Sequence, residues 1–316
     1  MSLIDVRVAE IIEESAQVKS LRLVRVDGEP LGVYEAGAHV DVVGPTAITR
    51  QYSLCSRPED PDSYTVAVKC EPHSRGGSEA LHALQVGDVI QISSPRNLLQ
   101  IVPEAKHHVL MAAGIGITPM LSIARYLDVH DGDFDLHYFA RSSEEAAFLG
   151  LLQEKCPQKL HPHLGTPLEE HDALLREALA DLPEDTHLYM CGPEPFMDMV
   201  MHVALEYVDE ERVHKENFRP AEQETTGEDS AFDVELEGET FHVPADRTIV
   251  EVLREGGADV DTSCQEGICG TCIMEVLEGD VDHRDSVLTK SEKESGELIT
   301  VCVSRCTSPL LRLDYY

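Results

Sequence analysis

Three cysteines near the carboxyl end stand at the spacing Cys264-x4-Cys269-x2-Cys272, and a fourth, Cys302, follows thirty residues on. This C-x4-C-x2-C…C run is the plant-type spacing for a two-iron, two-sulfur (2Fe–2S) cluster held by thiolates. Three thiolates of one loop can converge on such a centre only if the loop bends tightly and turns backbone N–H groups toward sulfur. Gly267 and Gly270 permit that bend, and small Ser263 and Thr271 avoid crowding. Structural zinc wants two C-x2-C pairs or a Cys/His pair, whereas Cys302 has only Cys306 nearby, at x3. Zinc and unligated core cysteines are the alternatives. Cys306 is expected as a buried spare thiol, the other reading being that it replaces Cys302 as fourth ligand. The apolar strand Leu298–Val301 favours Cys302, which it can carry back to the loop.

Other segments have weaker chemistry of their own. Arg50-Gln51-Tyr52-Ser53-Leu54 reads as a strand whose Arg, aromatic and hydroxyl are expected to share one face. Such a face suits a flavin, with Arg on phosphate, Tyr against the ring and Ser on a polar ring atom. A half-buried strand with a surface Arg is the plainer reading. His73-Ser74-Arg75-Gly76-Gly77-Ser78 precedes a short helix, so its glycines, hydroxyl and helix N–H groups suit an anion, or simply form a turn and N-cap. Gly114-Ile115-Gly116-Ile117-Thr118-Pro119 follows a strand and opens a helix, the place for a pyrophosphate, although the third Gly of the dinucleotide fingerprint is missing. Cys191-Gly192-Pro193-Glu194 repeats the arrangement; Cys191 could flank a nicotinamide ring or be core.

Around these segments the elements change rhythm. Ile4–Ile12, Lys19–Val26, His39–Val43, Ile48–Leu54, Tyr64–Lys69 and Val89–Ser93 read as strands of an antiparallel β-barrel or sandwich, with one helix at Gly77–Leu84. From 104 to 218, strands His108–Ala113, Asp135–Ala140, Lys159–His163 and His187–Cys191 alternate with helices Met120–Leu127, Glu144–Lys155, Leu168–Ala180 and Glu194–Val208. That alternation predicts an α/β parallel sheet. Residues 219–230 read as a polar linker. The rest forms a small α+β unit with strands Phe232–Leu236, Thr240–Val243 and Ile273–Leu277, and a helix Ile249–Glu255 capped by Thr248 or Asp246. The expected domains are therefore 1–102, 103–222 and 228–316.

The chain of 316 residues has 59 Asp+Glu against 25 Lys+Arg, a net charge of −34. Residues 228–316 alone are at net −14. This balance repels nucleic acid and anionic membrane. No apolar run reaches the ~18 residues of a membrane span, and the N-terminus lacks the basic-then-apolar pattern of an export signal. Nine cysteines, an odd number, argue against a disulfide scaffold and for a reducing, cytoplasmic setting.

Taken in order, Arg50-x-Tyr52-Ser53-Leu54, Arg75-Gly-Gly-Ser78, Gly114-Ile-Gly116-Ile-Thr118-Pro119, Cys191-Gly192-Pro193 and the cysteine loop resemble the phthalate dioxygenase reductase family, including vanillate demethylase reductases. The resemblance spans essentially the whole chain. It implies a flavin-binding β-barrel, an NAD(P)-binding α/β domain and a plant-type ferredoxin (β-grasp) domain. It implies that Arg50, Tyr52 and Ser53 hold the flavin, with Val68 and Lys69 lining its ring or ribityl chain. Gly76, Gly77 and Ser78 would take its phosphate, the flavin being FMN. Gly114, Gly116, Thr118 and Pro119 would receive the pyridine nucleotide, with Cys191, Gly192 and Pro193 beside the nicotinamide. Phe218, in Glu216-Asn217-Phe218, would pack near the flavin or plug the core.

Arg141, at the end of Asp135–Ala140, could bind a 2′-phosphate; relatives with an Arg there often use NADH, the expected donor, with NADPH as the alternative. The implied activity is an NAD(P)H-dependent oxidoreductase that passes electrons through FMN and the cluster to a terminal oxygenase, Rieske-type or haem-thiolate monooxygenase. Hydride transfer needs no protein acid or base. No catalytic side chain is therefore expected, and His39, His73, His82, His107 and His108 read as surface or packing residues. A non-catalytic redox carrier or sensor is the alternative, distinguished by absent flavin or absent NADH turnover. A monomer is expected.

Overall fold

The computed structural model describes residues 3–72, 76–219 and 229–316. His73, Ser74 and Arg75 of the glycine loop, and residues 220–228 of the expected linker, lie outside the described residues. The chain divides into two compact units, Met1–Glu216 and Asn217–Tyr316.

The first unit begins with strands β1 (Leu3–Ser15), β2 (Val18–Arg25), β3 (His39–Val43), β4 (Thr49–Ser53) and β5 (Tyr64–Lys69), helix α1 (Gly77–His82), and strand β6 (Val89–Ser93). They pair antiparallel in the order β4-β3-β6-β1-β2-β5. An antiparallel bridge from Leu54 to Val66 joins the two outer strands, so the sheet closes into a barrel. Alternation along the strands sends Val6, Val8, Leu21, Leu23, Val40 and Val42 into its interior.

A parallel sheet follows in the same unit. Its elements are β7 (His107–Ala113), α2 (Ile117–Val129), β8 (Phe134–Ala140), α3 (Leu149–Lys155), β9 (Leu160–Leu164), α4 (His171–Leu179), β10 (Thr186–Cys191), α5 (Glu194–Ala204) and β11 (Val213–Glu216). The order β11-β10-β7-β8-β9 is parallel throughout. Central β7 is buried at every position, as a strand covered on both faces must be. The helix expected from Glu144 starts only at Leu149. Buried Phe148 takes a left-handed φ of 61°, which no α-helix accommodates, and Ala146 and Ala147 are buried in the turns before it. Strand β11 was not legible: four residues, Val-His-Lys-Glu, give too short a pattern.

The second unit contains β12 (Phe232–Leu236), β13 (Glu239–Val243), α6 (Ile249–Glu255), β14 (Ile273–Glu278), β15 (Val281–Asp282), α7 (Lys290–Ser295), β16 (Leu298–Thr300), β17 (Arg305–Cys306) and β18 (Leu310–Tyr315). Its main sheet has the order β13-β12-β18-β14-β16, with β12 and β18 parallel and the other pairs antiparallel. Ile249, Val250 and Leu253 of α6 pack into the sheet's core, giving the expected α+β ferredoxin architecture. Thr248, not Asp246, caps α6: its hydroxyl accepts the Glu251 N–H while the Glu251 carboxylate accepts the Thr248 N–H. Among the described residues no helix is long and apolar enough to cross a membrane.

Candidate functional site

The cysteine loop runs from the end of α6 to β14. Between Cys264 and Cys272 its path needs three left-handed residues: Gln265 (φ 55°), Gly267 (φ 71°) and Gly270 (φ 68°). At Gly267 a side chain is doubly excluded, since a Cβ would stand 2.7 Å from Val303 Cγ2 and 3.2 Å from Asp285 Cα. The adjoining segment clips the loop through the Ser286 N–H donating to Gly267 O (2.9 Å), and the Val301 N–H donates to Cys272 O (3.2 Å), which sets Cys302 beside the loop.

The four thiols face one another. Cys264 hydrogen-bonds Cys269, which together with burial raises the Cys269 pKa. Cys302 hydrogen-bonds Cys264, which lowers its pKa, and Cys272, which raises it; with burial the net shift is up, to about 12. The Glu266 N–H donates to Cys264 Sγ (3.3 Å), the inward-turned amide that a thiolate cluster needs. The Cys306 thiol turns instead to Ser308 Oγ (3.0 Å). Among the described residues no three His, Cys, Asp or Glu side chains close round a point as they would round one ion. The fit therefore rests on the donor set: four soft sulfur ligands, three of them at most 4% exposed, on a loop with an N–H aimed at sulfur.

In the first unit, the pleat of β4 corrects one expectation. Arg50 and Tyr52 share a face, but Ser53 lies with Gln51 on the other, because side chains alternate along a strand. Tyr52 packs against the barrel core, and its hydroxyl is pushed up to about 12 by burial. Arg50 lies against the glycine turn: a Cβ on Gly77 would stand 3.5 Å from Arg50 Cγ. Gly76 enters that turn at φ 97°, and Ser78 Oγ accepts the Glu71 N–H (3.3 Å). Val68 is fully buried in the barrel core, its carbonyl accepting from His82 Nε2 (2.7 Å). Lys69 Nζ lies 3.2 Å from Glu71 Oε1.

The opposite face of β4 gathers a buried polar group. Ser53 pairs with His39 and Gln51 with Asp41 across β3 and β4. Gln51 Nε2 and an Arg96 guanidinium N–H each donate to Asp41 Oδ1 at 2.7 Å. Ser53 Oγ donates to Glu216 Oε2 (3.2 Å), and Glu216 Oε1 lies 3.7 Å from His39 Nδ1. Burial raises the Glu216 carboxyl to about 8, partly offset by the Ser53 hydrogen bond. Burial, then the Arg96 charge, lowers His39 to about 4. The register of β10 and β11 sets Glu216 beside Cys191, whose thiol is pushed well up by burial and then by the Glu216 charge. Sequence reasoning gave Glu216 no role, because only the β10–β11 register brings it to Ser53 and Cys191.

The nucleotide segments meet at the carboxyl edge of the parallel sheet. Gly114–Gly116 forms a single 3-10 turn after β7 and leads into α2. Thr118 Oγ1 donates to Ile115 O (3.0 Å), and Tyr138 Oη to Gly114 O (3.3 Å). A Cβ on Gly116 would stand 2.1 Å from Cys191 O, and one on Gly192 2.9 Å from Ala113 Cβ, so neither turn has room for a side chain. Pro119 is buried in α2, and Pro193 opens α5. Arg141, just past β8, holds Glu145 at 2.6 Å and is 75% exposed. Phe218 is half-buried in the second unit, two residues past its boundary.

Comparison with known proteins accords with this geometry. Residues 232–307 match the 2Fe–2S iron-sulfur cluster binding domain, a span holding all four cysteines. Residues 90–213 match the N-terminal domain of the dimethylamine monooxygenase subunit DmmA-like family. Vanillate O-demethylase oxidoreductase of Pseudomonas sp. (strain HR199 / DSM 7063) is 41% identical over 319 residues, covering 99% of this chain and 100% of the relative. The carnitine monooxygenase reductase subunit of Escherichia coli (strain K12) is 38% identical, covering 98% of each chain. The solved structure of phthalate dioxygenase reductase, described as modular for electron transfer from pyridine nucleotides to 2Fe–2S, is 35% identical with a TM-score of 0.73, over 99% of this chain and 98% of that one. An intact type IV self-sufficient cytochrome P450 monooxygenase is 34% identical with a TM-score of 0.88, over 98% of this chain and 41% of that one. The chain thus belongs to the family of oxygenase reductase components that includes vanillate O-demethylase oxidoreductase and phthalate dioxygenase reductase, and is an oxidoreductase whose carboxyl-terminal unit is a 2Fe–2S domain.

Proposed function

We propose that this protein takes hydride from NADH into FMN and delivers single electrons, through a cluster on Cys264, Cys269, Cys272 and Cys302, to a Rieske-type terminal oxygenase acting on a small molecule. The observation that carries the reading is the mutual facing of those four thiols on a loop with an N–H aimed at sulfur. Bound flavin would supply the change from paired to single electrons, and the cluster the outward relay.

The chain's own residues fit these groups. Arg50 beside Gly77, with Gly76 and Ser78, offers a positive charge and a side-chain-free turn to a phosphate. We assign Tyr52 to the isoalloxazine end, with Val68 and Lys69 on the neighbouring strand β5; Ser53, on the opposite face of β4, is assigned to a polar ring atom by resemblance to the family. The turns at Gly114, Gly116, Thr118 and Pro119, and at Cys191, Gly192 and Pro193, let a dinucleotide lie against backbone at the sheet's carboxyl edge. Arg141 is already paired with Glu145. A carboxylate at that position opposes a 2′-phosphate, which favours NADH over NADPH. Arg141→Ala should therefore change turnover with the two nucleotides by similar, small factors; a loss confined to NADPH would reverse the preference.

The activity is tested by adding NADH anaerobically to purified protein with cytochrome c as acceptor. A yellow-brown protein should turn over, and Cys302→Ala should still bleach its flavin band while losing cytochrome c reduction. Absent flavin, or no bleaching, would leave a carrier or sensor. The similarity to the self-sufficient P450 supports a second reading in which the acceptor is a haem-thiolate monooxygenase. Reconstitution with each oxygenase type separates the two. An odd number of cysteines, nine, fits a cytoplasmic, reducing setting, and we assign a monomer.

A further inference from the structure

Asp285 stands directly against the cysteine loop, and its side chain is wholly shut off from solvent. Its Oδ2 accepts the Val287 (3.1 Å) and Leu288 (2.7 Å) N–H groups. Its Oδ1 has no hydrogen-bond partner among the described residues; His283 Nδ1 lies 3.7 Å from it, short of a hydrogen bond. Lys293, on α7, donates to the Asp285 carbonyl (2.6 Å) and lies 3.7 Å from Oδ2. Taking a carboxylate out of water is costly, and a single ammonium at that distance offsets only part of the cost. Capping two amides does not require the charge, because an Asn carbonyl in the same place would accept both. The charge therefore calls for another explanation.

The turn that Asp285 caps reaches the cysteines through one glycine. Ser286, held between Asp285 and the capped Val287, donates its N–H to Gly267 O (2.9 Å). The Gly267 N–H is in turn directed at the Cys302 sulfur. A Cβ on Gly267 would stand 3.2 Å from Asp285 Cα and 3.4 Å from its Cβ, so nothing separates the loop from the residue that bears the charge. Hydrogen bonds to sulfur and local charge are what set the reduction potential of an iron–sulfur centre. Reduction adds one electron, and so one negative charge, which a buried carboxylate opposes and a nearby ammonium favours.

We propose that Asp285 is a positioning residue for the cluster: its carboxylate holds the turn that clips Gly267, and its charge lowers the potential at which the cluster takes up an electron, with Lys293 as the opposing charge. This inference rests on the cluster reading above.

The test is the one-electron midpoint potential of the cluster, read by paramagnetic resonance during a reductive titration of the full-length protein. Asp285→Asn keeps the cap and removes the charge. It should raise the ratio of reduced to oxidised cluster at a fixed potential about tenfold, a positive shift of about 59 mV. Lys293→Gln should move the midpoint the opposite way, and by less, because that side chain is partly exposed. The double variant should lie between the two. A merely structural pair would lower iron content without moving the midpoint, or move it in the same direction in both variants; either result overturns the proposal. If Asp285→Asn takes up no iron, Lys293→Gln decides alone, and an unchanged midpoint there counts against it. The clip has its own readout in iron-free protein. The Ser286 amide should exchange hydrogen at least tenfold faster in Asp285→Ala than in wild type, with Asp285→Asn close to wild type. Equal exchange in all three would show that the carboxylate does not hold the turn. Failure of the cluster reading would appear separately, as wild-type protein without iron or a rhombic signal.

Discussion

At Gly116 the absence of a side chain is a condition of the site. A Cβ there would collide with the Cys191 carbonyl at 2.1 Å, and that atom is backbone at the end of a central strand, so it cannot swing away. Gly116→Ala must therefore push the turn after β7 from the turn after β10. We expect NADH-driven flavin reduction to fall at least tenfold, while flavin and iron content stay at wild-type levels. Equal loss of bound flavin would mean that the substitution damages the fold rather than the nucleotide edge. The residues around it differ in how far they could be read in advance. The cysteine spacing was fully legible, since a cluster motif is local in sequence. Gly267 and Gly270 were legible as bends, but Gln265 was not, because a non-glycine residue with positive φ leaves no compositional trace. Glu216 and His39 come together through two strand registers, one in each sheet of the first unit, and a register is not written in either segment alone.

Among the elements, the two outer strands of the parallel sheet share a device. His137 Nδ1 meets His163 Nε2 at 3.1 Å between β8 and β9, and His187 Nδ1 meets His214 Nε2 at 2.9 Å between β10 and β11. Each bond needs one donor and one acceptor, so it is lost when both rings carry two protons. Burial, followed by neighbouring imidazoles, lowers His137 to about 3 and His163 and His214 to about 4. These values lie below the ordinary 6.5. The neutral rings' contribution is thus complete above pH 6.5 and lost as pH falls through about 4. Glu216 acts in the opposite direction, its raised pKa favouring the fold as pH falls through about 8. Melting temperature should drop between pH 6.5 and 4, and less steeply in the double variant His163→Gln/His214→Gln. An identical slope in wild type and variant would remove the histidine pairs from the acid response. The long alternating strands and the apolar β7 were plain in the sequence. Short β11, β15 and β17 were not, because two to four residues establish no periodicity and their pairing comes from strands distant in sequence; β18, six residues between β12 and β14 in its sheet, was missed as well, although Leu311 and Leu313 alternate into the core.

For the whole molecule, net charge governs the encounter with an acceptor. The chain has net charge −34, and residues 228–316, which hold the cysteine loop, contribute −14 of it. An acidic electron-delivering unit approaches a basic patch quickly at low salt and loses that advantage as ions screen it, over a Debye length of about 10 Å at 0.1 M. The second-order rate of electron delivery to a cognate oxygenase should fall several-fold between roughly 0.05 and 0.5 M salt, with NADH-to-flavin reduction nearly constant. A flat rate would mean that docking is apolar. All of this presupposes that the four thiols hold iron. The most direct test is iron content together with paramagnetic resonance of the dithionite-reduced protein, for wild type and five single Cys→Ala variants. Wild type and Cys306→Ala should each contain two irons per chain and give a rhombic signal, and Cys264→Ala, Cys269→Ala, Cys272→Ala and Cys302→Ala should lose both. Iron-free wild type, or a cluster that survives loss of Cys302 but not of Cys306, would contradict the account.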